Sequence, residues 1–357
     1  MSSFSAPLCR HFGVCGGCTY QDMPDDAYAA MKRESVMQAL AAQGLNVDRV
    51  VPLVRIAPQT RRRAALKAAK ADGVVRLGFH AAATHDIVDM QECRLLTQSL
   101  LACVPRLRTL LTALLQDGDK AELSLTETEG GPDLAISWKH ALTPRLFARV
   151  ADLARNSGVA RITAKGEIVL AFAAPVAALG TARVTLPPGA FLQPTRSGEG
   201  VLQSAVGDAL KGAKSVADLF SGCGTFALVL ARSMRVHAVE LDRPALAALA
   251  DAVRTTQGLK PVTTESRNLF RQPLGAGELA RFDGVVLDPP RAGANAQIRE
   301  LAQARVPRIA YVSCNPVSFA RDARVLTDAG FRLGQVTAVD QFLWSSHIEL
   351  VAVFSRD

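Results

Sequence analysis

Two rhythms of apolar and polar positions divide the chain. From about residue 200 onward, short β-branched runs alternate with longer amphipathic stretches. SVADLF, RVHAVEL, FDGVVLD and RIAYVSC read as strands, and the segments after them (TFALVLARSM, PALAALADAVRTTQG, NAQIRELAQA, VSFARDARVLTDAG) place apolar residues at helical spacing. A further helix over 201–211 precedes the first of these strands. Strands alternating with helices of this length predict βαβ units around a parallel sheet. The last two runs, FRLGQVTAV and HIELVAVF, have no helix between them and predict a closing antiparallel hairpin.

The earlier rhythm is different. Helical spacing over 26–43 gives way, between 50 and about 180, to short alternating runs: VVPLVRIA, AALKAAK, VVRLGFH, HDIVDM, LSLTE, DLAISW, RITAKG and EIVLAF. With two longer apolar stretches at 94–115 and 144–156, they predict an α+β domain with a mostly antiparallel sheet. TLPPGAFLQPTRSGEG (185–200), rich in Pro and Gly, predicts the junction, and the first 20 residues read as a Cys/Gly-rich loop.

Composition narrows the class. The 357 residues suit two domains, and 49% hydrophobic residues can bury sizeable cores with little aromatic help. No stretch approaches the roughly 20 apolar residues of a membrane span. The start, MSSFSAPLCRHFG, lacks a signal peptide's apolar core, so a soluble cytoplasmic protein without a membrane partner is expected. The net charge of +8 is concentrated at the two ends, with +5 over residues 1–80 and +4 over 181–357. That excess suits a polyanion, although solubility alone would explain it equally well. Arg61-Arg62-Arg63, with Lys67 and Lys70, is either a set of phosphate contacts or a solvated run.

Candidate chemistry collects at strand ends. The first strand of the βα region runs into Asp218-Leu219-Phe220-Ser221-Gly222-Cys223-Gly224-Thr225. Its glycines permit a tight turn and close approach of a ligand to the backbone. Glu240 ends the next strand, 18 residues after Gly222, where an acidic residue can bind a ribose diol. Two glycines rather than three disfavour a pyrophosphate and favour a nucleoside such as S-adenosylmethionine. The bland alternative is a tight turn with a solvated Glu, and Cys223 reads as a small packing residue. FDGVVLD runs into Asp288-Pro289-Pro290-Arg291, and the next strand into Ser313-Cys314-Asn315-Pro316. Both turns lie at the carboxyl edge of the sheet, where such folds bind ligands. An isolated cysteine is usually structural. Cys314, at this edge beside a helix N-terminus that would favour thiolate, reads instead as reactive.

Seven cysteines in a chain without a signal peptide argue against a disulfide framework. Cys9, Cys15 and Cys18 follow a C-x5-C-x2-C spacing, and Cys93 supplies a fourth thiol. Four thiolates can hold a [4Fe–4S] cluster or a zinc, and spacing alone does not choose. Cys103, in an apolar run, reads as core.

DLFSGCGTF, AVELD, LDPPRAG, YVSCNP and HIELV, in this order and with the N-terminal cysteines, resemble the RNA uracil-C5 methyltransferases. The likeness spans nearly the whole chain. It implies a Rossmann-like class I S-adenosylmethionine methyltransferase domain (186–357), preceded by an α+β domain (50–185) and an N-terminal RNA-contacting cluster region (1–95, sharing Cys93). It implies a mechanism as well. Cys314 adds to C6 of uracil, C5 takes the methyl, and Glu349 removes the C5 proton so that Cys314 can leave. From pattern alone Glu349 is merely a charged residue on a terminal strand, and His347 stays unassigned.

Gln193, in PPGAFLQPT, matches the glutamine of the family's FxQxN motif, with Thr195 where Asn is usual. Gln193, Phe220, Gly222, Glu240 and Asp288 are the expected cofactor contacts, Asp288 reaching the uracil edge too; Asn268 stands where members often carry an acid near the adenine. The resemblance favours iron–sulfur over zinc at Cys9, Cys15, Cys18 and Cys93. It favours 23S rRNA over tRNA, because no oligonucleotide-binding barrel precedes Cys9 and tRNA-modifying members lack the cluster cysteines. The target base must leave its stack. A monomer is expected. The competing readings are a tRNA methyltransferase, a non-catalytic RNA-binding or assembly protein, and an enzyme acting on another base or on DNA.

Overall fold

The computed structural model describes residues 8–140 and 143–356; residues 1–7 of the expected N-terminal loop lie outside the described residues. Among the described residues the strands form an eight-stranded sheet, a six-stranded sheet and a two-stranded hairpin.

The eight-stranded sheet is built from the βα region. Ser215–Leu219 lies at its heart, flanked on one side by Arg235–Glu240 and Val262–Ser266 and on the other by Gly284–Leu287 and Arg308–Ser313, all parallel. Glu349–Ser355 then pairs antiparallel with Arg308–Ser313 and with Arg332–Asp340, giving the expected hairpin. The central strands are buried on both faces, which is why Gly284–Leu287 (GVVL) and Arg308–Ser313 (RIAYVS) read as continuous apolar runs. This is the Rossmann-like α/β arrangement that the sequence predicts.

The six-stranded sheet runs Val74–Gly78, Arg63–Ala71, Lys120–Thr126, Asp133–Trp138, Arg161–Ala164, Glu167–Ala171. Four of its five pairings are antiparallel. Helix Gln98–Leu114 covers it, burying Leu100, Val104, Leu107, Leu111 and Leu114 at three- and four-residue spacing, with Cys103 in the same core.

Several expectations fail at the level of elements. VVPLVRIA yields a strand of only two residues, Val54–Arg55, after Pro52. It pairs in parallel with Val339 and Asp340 of the large sheet. HDIVDM forms no strand: Val88 and Met90 donate to the Phe79 and Leu77 carbonyls (2.9 Å each) as the segment crosses over Gly78. A Cβ at Gly78 would lie 2.0 Å from the Val88 carbonyl oxygen, so the crossing requires glycine. TFALVLARSM gives only a four-residue helix, Ala227–Leu230, because the next strand starts at Arg235. The predicted helix 26–43 is present as Asp25–Ala41. Its Val36 and Leu40 pack into the core of the large sheet, while Tyr28 enters the core under the six-stranded sheet. No helix among the described residues is long and apolar enough to cross a membrane.

Candidate active site

The turn after Ser215–Leu219 is strained in the way its sequence allows. Phe220, Gly222 and Gly224 all have positive φ (64°, 53° and 95°), and a Cβ at Gly224 would meet Leu249 at 2.5 Å. Glu240 is fixed against this turn. One carboxylate oxygen accepts from Gly222 N (3.1 Å), the other from Leu241 N and Asp242 N (2.6 and 3.0 Å). Phe220 packs at 5.4 Å from Phe270, which is largely exposed and makes an apolar ledge beside the turn. Asn268 accepts from Phe270 N (3.0 Å), shaping the loop beneath that ledge.

Under the turn lies Asp218. It is fully buried, and neither carboxylate oxygen has a hydrogen-bond partner among the described residues; the Ser221 hydroxyl is likewise unpartnered. Burial pushes the Asp218 carboxyl up to about 8, and the Ala227 N–H, near but outside hydrogen-bond geometry, offsets only part of this. Asp288 and Glu240 add negative field. Buried oxygens without donors beside a glycine turn suit a ligand that brings positive charge and hydrogen-bond donors, as the amino group and sulfonium of S-adenosylmethionine do. The residues present therefore fit that cofactor.

The chemical end of the site is assembled across three strand ends. Ser313 pairs with Leu350, so the next positions, Cys314 and Glu349, adjoin across the antiparallel pair. Asp288 ends the neighbouring parallel strand. Its turn is fastened to that of Cys314: Asn315 Nδ2 and Ser318 Oγ donate to the Arg291 carbonyl at 2.9 and 3.0 Å. Asn315 also caps the following helix, Pro316–Asp328, through Val317 N at 3.1 Å. Gln193 Nε2 donates to Asp288 Oδ2 (3.1 Å), while its Oε1 accepts from Gln341 (3.0 Å). Thr195, in place of the usual Asn, caps helix Arg196–Ala209 and donates to Gln341 at 3.3 Å.

Electrostatics corrects one expectation. Cys314 is not poised as thiolate in the free protein. Burial, and then the carboxylates of Glu349 and Asp288, push its thiol up to about 11; Arg291 only partly opposes them. The helix N-terminus is outweighed by burial first and by the two acids after it. Glu349 is itself buried and held well above the ordinary carboxylate range by desolvation and by Asp288. Asp288 is raised to about 7 by desolvation, despite the bond from Gln193. A cavity of about 440 Å³ opens over Cys314, walled by Arg61, Arg291, Phe342, His347 and the backbone of Gly16 and Gly17. The Arg61 guanidinium lies over the Phe342 ring at 5.7 Å.

The basic run is largely structural. Arg62 is buried, paired with Glu199 at 2.5 Å, and donates from Nε to the Gln193 carbonyl at 2.9 Å. Arg63 bonds the Leu192 carbonyl and stacks on Phe191, Lys67 pairs with Glu122, and Lys70 donates to the Thr112 and Leu115 carbonyls. Of the five, Arg61 alone lines the cavity over Cys314.

Cys9, Cys15, Cys18 and Cys93 line a single small cavity with Phe79 and Met90. None of the four is in a disulfide. Burial raises Cys15, Cys18 and Cys93, and nearby thiols add to it: Cys9 acts on all three, Cys15 on Cys18 and Cys93, and Cys93 on Cys18. Among the described residues no three His, Cys, Asp or Glu side chains converge closely enough to hold a single metal ion. Cys103 and Cys223 are buried in the cores.

Comparison with known proteins identifies the family. The family model for tRNA (uracil-5-)-methyltransferases matches residues 183–357. An uncharacterized RNA methyltransferase of Rhizobium meliloti is 44% identical over 98% of this chain and 86% of its own length. A 23S rRNA (uracil(1939)-C(5))-methyltransferase of Cronobacter sakazakii is 31% identical, covering 98% of this chain and 82% of that protein. The crystal structure of a Pyrococcus abyssi tRNA (uracil-54, C5)-methyltransferase with S-adenosyl-L-homocysteine shares the fold, with a TM-score of 0.72 at 22% identity, over 96% of this chain and 86% of that one. With a relative of this identity along nearly its whole length, the chain belongs to the S-adenosylmethionine-dependent RNA uracil-C5 methyltransferases.

Proposed function

We propose that the protein methylates C5 of one uridine in 23S rRNA, with Cys314 as nucleophile and Glu349 as the base that ends the cycle. The observation that carries this reading is the strand register that sets Cys314 beside Glu349, with Asp288 at the adjoining strand end. The choice of 23S rRNA rests on the Cronobacter relative and on the cysteine-lined cavity.

The Cys314 thiol gives up its proton to solvent in the open cavity as its sulfur adds to C6, the C5–C6 double bond opens, and negative charge spreads to C5 and the C4 oxygen. The cofactor supplies an electrophilic methyl on a sulfonium cation. C5, once methylated, carries both methyl and proton. Glu349 takes that proton, the C–S bond breaks, the double bond re-forms and Cys314 leaves as thiolate. Burial favours the protonated forms of Cys314 and Glu349 in the free site. Positive charge arriving beside Asp288 and Glu349 favours their ionised forms, so bound ligands prepare the base. Gln193, held by Arg62 and Gln341, keeps Asp288 oriented toward cofactor and base, while Phe220, Gly222 and Glu240 hold the adenosine. Arg61 and Arg291 receive the phosphates flanking the extruded uridine.

Cys9, Cys15, Cys18 and Cys93 would hold a [4Fe–4S] cluster. That the four line one cavity supports this reading, as does the resemblance to the cluster-bearing members of the family. Such a cluster would support the Gly16–Gly17 wall of the RNA cavity; the methyl transfer needs no electron from it. Mass spectrometry of 23S rRNA and tRNA from cells with and without the gene tests the substrate. Loss of one 5-methyluridine from 23S rRNA is expected. Loss from tRNA alone would establish the tRNA reading instead.

A further inference from the structure

The segment 341–348 joins the last two strands of the large sheet and delivers Glu349 to Cys314. It is held from outside by the N-terminal helix Asp25–Ala41. Lys32 is fully buried. Its ammonium donates to Asp340 Oδ1 (2.7 Å), to the Phe342 carbonyl (3.2 Å) and to the His347 carbonyl. Three donors thus meet three acceptors. One acceptor belongs to the end of the strand before the segment and two to the segment itself, the second only two residues ahead of Glu349. Tyr28, one turn earlier on the same helix, donates to the other Asp340 oxygen (2.8 Å) and accepts from Trp344 N (2.7 Å). Trp344 has a positive φ of 57°, which a non-glycine residue keeps only when its surroundings impose it. Its carbonyl in turn accepts from Thr19 N and Tyr20 N, just after Cys18.

We infer that Lys32 is a positioning residue for proton removal: with Asp340 and Tyr28 it clamps segment 341–348 so that Glu349 meets the C5 proton. The ammonium ties both ends of the segment to one point. Without it, the start of the last strand can shift by the fraction of an ångström that separates a productive base from an idle one. Cys314, on the neighbouring strand and fastened through Asn315 to the Arg291 turn, does not depend on this clamp.

The inference rests on the proposed addition–elimination chemistry, and 5-fluorouridine separates the two. Fluorine at C5 cannot be removed as a proton, so an RNA carrying it stops as a covalent adduct after methyl transfer, without any act of Glu349. Lys32→Met should form this adduct at a rate within about twofold of the parent protein. Its turnover on ordinary uridine RNA should fall about tenfold or more, with KM for RNA little changed. Equal loss of both rates would show general damage and overturn the inference, as would full turnover. If Lys32→Met does not fold, Tyr28→Phe decides. A drop in turnover of about threefold with an unchanged adduct rate is expected, and unaltered turnover overturns the inference. Failure of the parent protein itself to form any adduct would refute the underlying chemistry instead.

Discussion

Buried charge is handled in two opposite ways within a few residues of each other. At Lys32 and Asp340 a full ion pair is buried with every strong donor met and Tyr28 completing the second carboxylate oxygen. At Asp218, Asp288 and Glu349 three acids lie close together with no cation paired to them among the described ion pairs, and Asp218 lacks any hydrogen-bond partner there. The first arrangement costs desolvation and recovers it internally, as a structural element must. The second leaves the cost standing, expressed as raised proton affinity. A folded chain keeps such a cluster where a cationic or hydrogen-bonding ligand will meet it. The contrast separates what holds the site from what performs the reaction.

The largest effect that would break this contrast is at the nucleophile. Cys314→Ala should drop methylation below detection, a loss of about a thousandfold or more, while S-adenosylmethionine still binds. Retained turnover, read as labelled methyl in RNA, would remove Cys314 from the chemistry. On the structural side, Arg62→Met should destabilise the fold by about 3–5 kcal/mol, because it leaves Glu199 buried and unpaired; denaturant unfolding measures it. A change within about 0.5 kcal/mol would mean that paired buried charges here are not structural.

A smaller effect separates the unpaired acids from the paired ones. Asp218 is raised from 3.8 to about 8, so the fold favours its protonated form. The associated stability is complete below the unfolded value and is lost as pH rises through about 8. Asp218→Asn has no such proton to lose. Thermal melts of the free protein should therefore converge at low pH and separate as pH rises to 9, the variant becoming the more stable. Parallel curves would contradict the assignment of an unpaired, protonated acid.

The turns that carry the reacting residues were legible in the sequence, while Glu349 needed the family resemblance and the buried ion pairs had no signal. Asp288, Cys314 and Glu240 sit at the ends of apolar strands, in turns whose Pro, Gly and Asn residues mark them, so their clustering follows from the parallel sheet. The Lys32–Asp340 pair joins residues far apart in the chain, and no local pattern announces it. Arg62 reads in the sequence as either a phosphate contact or part of a solvated run, because a triple arginine has no visible partner until Glu199 is brought beside it. Strand Val262–Ser266, with two Thr and a Glu on an edge, lacks the apolar signal that revealed its neighbours. The raised proton affinity of Cys314 was likewise hidden, since it depends on burial in the folded site and on two carboxylates delivered by other strands.

The central claim is that Cys314 and Glu349 form an add-and-eliminate pair, and one variant addresses both at once. Glu349→Gln, incubated with uridine RNA and S-adenosylmethionine, should accumulate a covalent protein–RNA complex that survives a denaturing gel. Mass spectrometry should place a methylated uridine on Cys314. Free methylated RNA released at the parent rate, with no such complex, would contradict the account.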